Sequence, residues 1–358
     1  LYKMNIAALT NHVFTPSSRY RIRQFIEPLK KHNVIVKDFQ RKYSSQIVHS
    51  GRTRIRRSPY LLYKAIQQEC LNLANTFLRV KRANDFDAMW LSRQLIIGYP
   101  SIEFMISKPL IYDIDDAIFL TSSLADKQVK RVTNRADLVF AQNSYIADYL
   151  SKYNDSIHIV PTVVDTNLFT PVEEVSKIFQ DENDIVTIGW SGTSSSYQYF
   201  CLLEDVFIKI LLKYKNTKLV FVSDRPPYEL KKLYNFVEFI EWAPEIDAST
   251  IQNFDIGIMP INNDDWCKGK GAYKMLLYAS CGIPVVASSV GENKIILDSA
   301  SIGIGVLNTD DWYFSLEELI IDSKARSELG ANGRKYVVEN RNLSSWTKNI
   351  SRLMIEGL

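Results

Sequence analysis

Three lysines crowd a glycine-rich turn at Lys268-Gly-Lys-Gly-Ala-Tyr-Lys274, and an apolar run follows that ends in Cys281-Gly-Ile-Pro-Val-Val-Ala287. Ammonium groups beside the N–H groups of a helix start make a site for a diphosphate, because fixed charge and helix dipole both favour anions there. Lys270 and Lys274 are therefore candidate catalytic cations. Lys268, Gly271, Ala272 and Tyr273 are candidate contacts to the same anion. A second loop, Ile188-Gly-Trp-Ser-Gly-Thr-Ser-Ser-Ser196, offers small residues that let a backbone approach a ligand closely. Gly192, Thr193 and Ser194 are assigned to the same site, together with Asp224.

A different chemistry is offered by Ile111-Tyr-Asp-Ile-Asp-Asp-Ala-Ile-Phe119. Three carboxylates follow a hydrophobic strand and repel one another, an arrangement seldom kept for stability alone. Asp115 and Asp116 can accept hydrogen bonds from hydroxyls or stabilise a developing positive charge, and are candidate catalytic residues. Asp113-x-Asp115 also has the look of a paired-aspartate site for Mg²⁺ or Mn²⁺, but that arrangement belongs to an architecture with one nucleotide-binding domain. The expectation here is no metal. The loop after the first strand leads through Ser17 and Ser18 into a helix bearing Arg19, Tyr20, Arg21 and Arg23. Ser18, Arg19, Tyr20 and Arg21 are candidate contacts to a hydroxyl-rich or anionic substrate.

These segments need elements to position them. Short apolar runs alternate with amphipathic helical patterns along all 358 residues, the rhythm of parallel sheets covered by helices. Strands are expected at 5–9, 34–39, 88–91, 110–112, 138–141 and 157–160, and again at 185–190, 218–222, 237–241, 256–259, 284–287 and 304–306. Helices are expected at 19–31, 59–80 and 144–152 in the first half, and at 199–214, 272–281, 324–339 and 344–356 in the second. Between the halves, 164–184 reads as a linker, with two prolines nearby and an acidic cluster. The expected fold class is α/β, with two Rossmann-like, doubly wound domains at 1–163 and 185–343 and the last helix, 344–358, returning to the first.

Composition narrows the function. Lys and Arg number 43 against 40 Asp and Glu, a net charge of only +3, which argues against a nucleic-acid binder. Four cysteines lie far apart without a CxxC pair, so neither a zinc site nor a disulfide framework is expected. No apolar run approaches the ~20 residues of a membrane span, and a cytoplasmic protein is expected. Charge is uneven, however. Between Arg41 and Arg82 there are ten Lys or Arg and one acid, Glu69. Arg52, Arg54, Arg56 and Arg57 precede a helix with Tyr60, Leu61, Leu62 and Tyr63. Basic residues beside aromatics suit an anionic membrane surface, so peripheral attachment through 52–82 is expected.

The second half, at Ile188–Ser196, Phe254-Asp-Ile-Gly-Ile-Met-Pro260, Trp266–Ala287 and Ser289-Val-Gly-Glu292, resembles the glycosyl transferase group 1 family, family 4 of the sugar transferases, with the GT-B fold. Companion features in the first half are Ser17-Ser-Arg-Tyr-Arg21, Tyr112-Asp-Ile-Asp-Asp-Ala117, Ala136-Asp-Leu-Val-Phe140 and Pro161-Thr-Val-Val-Asp165. The resemblance implies two domains facing across a cleft, and a retaining, metal-independent hexosyl-type glycosyltransferase without a cofactor. Its donor is a nucleoside-diphosphate sugar held by the C-terminal domain. Its acceptor is a glycan or lipid-linked molecule on the N-terminal side, as in cell-surface polysaccharide synthesis. The sequence departs from the family at two glutamates, replaced by Gly269 and Leu277, and lacks the family's arginine–lysine pair in Ser191–Tyr199. Asp115 stands where many relatives carry a histidine. A GT-B sugar-nucleotide epimerase, a phosphorylase, and a sugar-nucleotide binding protein without catalysis are the alternatives.

Overall fold

The computed structural model describes residues 3–13, 15–42, 59–96, 102–172 and 185–358. The chain divides into two compact units, Leu1–Thr162 with Ser344–Leu358, and Val163–Leu343.

The first unit is built on strands β1 (Met4–Thr10), β2 (Val34–Gln40), β3 (Ala88–Ser92), β4 (Leu110–Ile114), β5 (Leu138–Ala141) and β6 (Ile157–Ile159). All pairs are parallel, in the order β2-β1-β3-β4-β5-β6. Every residue of β3 and β4 is buried, as expected for parallel strands covered on both faces. Helices start where polar caps meet orphan N–H groups. The Ser122 side chain accepts from Ala125 N–H to open Ser123–Arg135, and Asn143 accepts from Ile146 N–H to open Ser144–Leu150. The expected helix 19–31 is present in two parts, a π-helical stretch Ser18–Arg23 and an α-helix Gln24–Lys30. The long helix runs over Pro59–Ala83, and the last, Leu343–Gly357, places Ile350 and Met354 fully inside.

The second unit repeats the scheme with β7 (Val186–Ser191), β8 (Thr217–Ser223), β9 (Val237–Glu241), β10 (Ile256–Met259), β11 (Val285–Ser288) and β12 (Gly303–Val306). Their order is β12-β11-β10-β7-β8-β9, again all parallel. The chain winds outward through β8 and β9, then returns to the other side of β7. The strand order therefore reverses between β7 and β10, and the crevice beyond their carboxyl ends is where such sheets bind ligands. In the first unit the reversal lies between β1 and β3.

Two expectations are corrected. The helix expected from 199 begins at Glu204, because Ser194–Phe200 tighten into a 3₁₀ stretch that turns Tyr197 and Phe200 into the core. The first part of the expected linker is folded into the second unit. Val164 and Phe169 are buried in its hydrophobic cluster, Val164 N–H donates to the Arg341 carbonyl at 2.9 Å, and the Ser280 hydroxyl donates to the Phe169 carbonyl at 2.6 Å. Apolar side chains in this stretch gain more from burial than from solvent. Residues 173–184 of that linker lie outside the described residues.

Glycines on the two central strands admit rings from the helix layer. A Cβ on Gly189 would sit 2.0 Å from the Phe254 ring, and one on Gly257 would sit 2.3 Å from the Tyr278 ring. Gly257→Ala is therefore expected to cost about 1–3 kcal/mol, typical for overpacking a filled core. Urea unfolding followed by tryptophan fluorescence measures it, and an unchanged midpoint would show that the ring can retreat.

Candidate functional site

In the second unit the two glycine-bearing segments converge. The loop Gly192–Ser194 leaves the carboxyl end of β7, and the lysine-rich turn precedes helix Tyr273–Ser280, which packs beside β10. Lys274 bridges them. A Cβ on Gly192 would lie 2.3 Å from Lys274 Cε, 2.7 Å from the Trp190 ring and 3.1 Å from Lys274 Nζ, so a larger residue would push the lysine from its present path. The ammonium stands 5.5 Å from the centroid of the Trp190 ring, which is itself buried. The face of the ring attracts a cation, which helps fix the direction of the ammonium.

The helix start is held in an unusual backbone. Ala272 adopts φ +56°, in the left-handed region, and is buried. That conformation costs about 1 kcal/mol for a residue with a Cβ, and it turns the chain sharply into Tyr273–Ser280. Lys270 Nζ lies 5.5 Å from the Trp266 ring centroid, and Lys268 Nζ pairs with Asp265 at 2.8 Å on an exposed turn. Gly291, at φ +54°, lets the next helix start close against Lys268, because a Cβ there would meet the Lys268 Cα at 2.8 Å. Asp224 is exposed, but both its oxygens are engaged by Ser194, through N–H at 2.6 Å and Oγ at 2.8 Å. These bonds help hold its carboxyl below the usual range, against the opposing effect of burial. Its observed action is to pin the loop. Leu277 is buried among Met275, Leu276 and Ile283, so the helix presents an apolar side chain at that position.

In the first unit, the carboxyl end of β4 carries a network of paired charges. Asp113 is fully buried and accepts from Arg21 Nε at 2.9 Å and from Trp90 Nε1 at 3.3 Å. Arg21 is only 3% exposed and also donates to the Val160 carbonyl at 2.5 Å. Arg21, assigned from the sequence as an acceptor contact, is thus turned inward here. The π-helical stretch turns it inward to meet a buried carboxylate, which would be untenable without a cation. Even so, burial pushes the Asp113 carboxyl up to about 6, against the pull of Arg21. Ser18 is likewise buried, where its hydroxyl accepts from Asn11 N–H at 3.0 Å and closes the loop after β1. Arg19 and Tyr20 remain half-buried, the guanidinium 5.0 Å from the ring centroid.

Asp115 and Asp116 share one partner that the sequence reading missed, Arg93. It follows β3 directly, at the point where the first sheet reverses, and adopts φ +56°. Its Nε donates to Asp115 and its Nη2 to Asp116. Burial opposes ionisation of Asp115, but Arg93 outweighs it and holds the carboxyl below its ordinary value. The same two carboxylates raise the Arg93 guanidinium above its own, against the lowering effect of burial. A lone arginine after a strand carries no motif, which is why only the fold reveals it.

Residues 183–322 match the family of glycosyl transferases group 1. The matched stretch lies in the second unit. Solved structures align with nearly the whole chain. HepE from Anabaena, solved with UDP and glucose, matches at 14% identity and TM-score 0.72, covering 99% of this chain and 100% of its own. Sucrose-phosphate synthase from Thermosynechococcus elongatus matches at 15% identity and TM-score 0.70, covering 99% of both chains. A glycosyltransferase from Rickettsia africae matches at 12% identity and TM-score 0.68, covering 100% of this chain and 99% of its own. No curated protein matches by sequence. At these identities the likeness establishes the fold, which is GT-B, two Rossmann-like sheets in one chain. The family match thus falls in the unit in which Lys274 crosses Gly192.

The Arg93 pair makes a prediction. Because Asp115 ionises below 3.8 in the folded state, its pairing stabilises the protein above that pH and is lost as pH falls through the depressed value. Arg93→Met should lower the melting temperature most near pH 7, where two adjacent carboxylates are left facing each other. The difference from wild type should start to shrink as pH falls below 3.8 and close only below the depressed Asp115 value. A deficit that stays constant with pH would mean that Arg93 acts by packing alone.

Proposed function

We propose that the chain is a retaining glycosyltransferase that moves a hexosyl-type sugar from a nucleoside-diphosphate sugar to a glycan or lipid-linked acceptor, in cell-surface polysaccharide or glycoconjugate synthesis. The observation that carries this reading is Lys274 lying across Gly192 beyond the carboxyl ends of β7 and β10. There an ammonium, a small-residue loop and a helix N-terminus share one place, the chemistry that holds a diphosphate.

In this reading the diphosphate rests on Lys274 and Lys270, with backbone contacts from Gly192 to Ser194 and from Gly271 to Tyr273, and Lys268 at the rim. As the bond to the sugar breaks, negative charge builds on the departing diphosphate. Cations already in place stabilise it without reorganising. The acceptor is held by the first unit, with Arg19 and Tyr20 at the surface of the first helix. Asp115 and Asp116, both paired with Arg93, accept hydrogen bonds from sugar hydroxyls. The acceptor hydroxyl attacks from the leaving-group side and gives its proton to the departing phosphate, which retains the anomeric configuration. Catalysis needs no metal and no cofactor. Support comes from Asp113 and Asp115, the aspartates a divalent ion would use, which already face Arg21 and Arg93. HepE has been solved with UDP-glucose, so a uridine nucleotide is the first donor to try.

We place the enzyme in the cytoplasm, attached peripherally to an anionic membrane face. No helix among the described residues is long and apolar enough to cross a membrane. Helix Pro59–Ala83 supports surface attachment. Its exposed side carries Tyr60, Tyr63, Ile66, Leu71, Phe77 and Leu78 with Lys64, Lys81 and Arg82, while Asn72, Thr76 and Arg79 are buried. Arg52, Arg54, Arg56 and Arg57 lie outside the described residues. Flotation with phosphatidylglycerol vesicles should carry the protein upward at low salt, and Phe77→Ser with Leu78→Ser should abolish it. Flotation unaffected by that pair would move the contact elsewhere.

A second reading, a sugar-nucleotide binding protein without transfer, draws on Leu277. The family's ribose-holding glutamate is absent there, and the side chain is buried in the core. A thermal-shift panel of UDP, GDP, ADP, CMP and their sugars decides whether a donor binds, since a ligand at 100 times its Kd stabilises by ~2.7 kcal/mol. Release of nucleoside diphosphate over time then separates transfer from binding. Lys274→Ala should lower kcat about a hundredfold or more, the usual cost of removing one preorganised donor. Unchanged turnover would take Lys274 out of the mechanism.

A further inference from the structure

Three arginines meet around Thr10, at the carboxyl end of β1, and none of them belongs to the site described above. Arg79 comes from the buried side of helix Pro59–Ala83. Its Nη2 donates to the Thr10 carbonyl at 2.6 Å and its Nε to the Phe39 carbonyl at 2.8 Å. Arg41 follows β2. Its backbone N–H donates to the same Thr10 carbonyl at 3.1 Å, and its Nε lies 3.3 Å from Asn72 Oδ1. Arg23 reaches the Thr10 hydroxyl with Nη2 at 2.8 Å and pairs with Asp38 at 2.6 Å. Asp38 in turn accepts from the Thr10 hydroxyl at 2.5 Å.

Arg79 and Arg41 are 6% and 3% exposed. The hydrogen bonds of Arg79 go to two backbone carbonyls, which satisfy donors but leave a full positive charge in place. Its Nη1 is buried and has no hydrogen-bond partner. The nearby carboxylate, Asp38, is already held by Arg23 and Thr10. Burial, reinforced by Arg41 and Arg23 and opposed by Asp38, lowers the Arg79 guanidinium to about 10. A buried guanidinium with an unused donor and like-charged neighbours is costly unless an anion completes it. Structural stitching of the strand ends explains two of its hydrogen bonds but not the unused one. Arg23 and Asp38 keep 17% and 18% of their side chains exposed, so the cluster is open on that side.

We propose that Arg79, Arg41 and Arg23 form a binding site for a phosphate group at the carboxyl ends of β1 and β2. Guanidinium forks match phosphate oxygens in geometry and charge. An incoming phosphate takes the unused Nη1 donor and displaces part of the Arg23 bond to Asp38. The site is on the ligand-binding end of its sheet, so it marks the ligand as phosphorylated. That this ligand is the sugar acceptor rests on the transferase reading, whereas the site itself does not.

The test uses the whole chain carrying Lys274→Ala, which silences the diphosphate site of the second unit. Calorimetric titration with inorganic phosphate, at constant ionic strength in chloride, should show binding. Adding Asp38→Asn should tighten it, because the competing carboxylate is neutralised. Adding Arg79→Met should weaken it about tenfold, the value of one charge-assisted hydrogen bond. The Asp38 arm does not depend on whether Arg79→Met folds, since damage to the fold cannot improve affinity. No binding by the Lys274→Ala protein, or an affinity that Asp38→Asn leaves unchanged or lowers, overturns the proposal. The source of the phosphate is read by flotation with phosphatidylglycerol vesicles. Flotation that Arg79→Met weakens and inorganic phosphate competes assigns a lipid headgroup. Flotation indifferent to both, with phosphate still bound in solution, assigns a soluble phosphorylated ligand.

Discussion

The Tyr278 ring pressed onto Gly257 is the contact on which the second unit's site depends. It brings helix Tyr273–Ser280 against β10, and the phenol oxygen accepts the Ser191 N–H at 2.9 Å, at the very end of β7. One side chain thus ties the helix to both strands that flank the crevice. Lys274 sits four residues earlier, one turn along the same helix, and so comes out over Gly192. The phenol is wholly buried, and burial raises it above its ordinary titration range, so the tie persists unchanged across ordinary pH. A site that must neutralise a diphosphate gains from such a frame, because a misplaced cation loses much of its effect on the transition state.

The first unit is organised by charge rather than by close apolar approach. Its strand ends carry Asp38, Asp113, Asp115 and Asp116, which are met by three arginines from outside those strands. Arg21 and Arg23 come from the π-helical stretch, and Arg93 from the turn after β3. Arginine suits this work because it stays charged when buried and can hold two acceptors at once. The outcome is a polar floor at the ligand end of the sheet whose carboxylates are oriented by their arginines. Where the pairing is incomplete, at Arg79, the imbalance itself marks a place for an anion.

Helix Pro59–Ala83 joins these two themes. It buries Asn72, Thr76 and Arg79 beside Val80 and Ala83, while Tyr63, Ile66, Phe77 and Leu78 are in solvent. Its polar side supports the arginine cluster, and its apolar side is suited to an interface. Such a distribution makes sense if two surfaces, one polar within and one apolar outside, are both in use.

Local pattern alone determined the alternation of strands and helices. The twelve strands among the described residues, three to seven residues long, lie where the sequence alternates short apolar runs with turn signals, and those buried on both faces, such as β3 and β4, are mostly apolar. The lysine–glycine turn was also legible, because Gly, Lys and a following helix are neighbours in sequence. What tertiary structure decided were the partners. Arg93 and Asp115 are 22 positions apart, and Arg21 and Asp113 are 92 apart. No periodicity links them, and only the order of strands in the sheet brings them together. The same holds for Leu277, whose place in the core follows from how its helix packs, and for Arg79, which in sequence is one basic residue among ten. Apolar spacing is dictated by burial, which acts on each segment separately. The choice of which charge meets which depends on the whole sheet being formed.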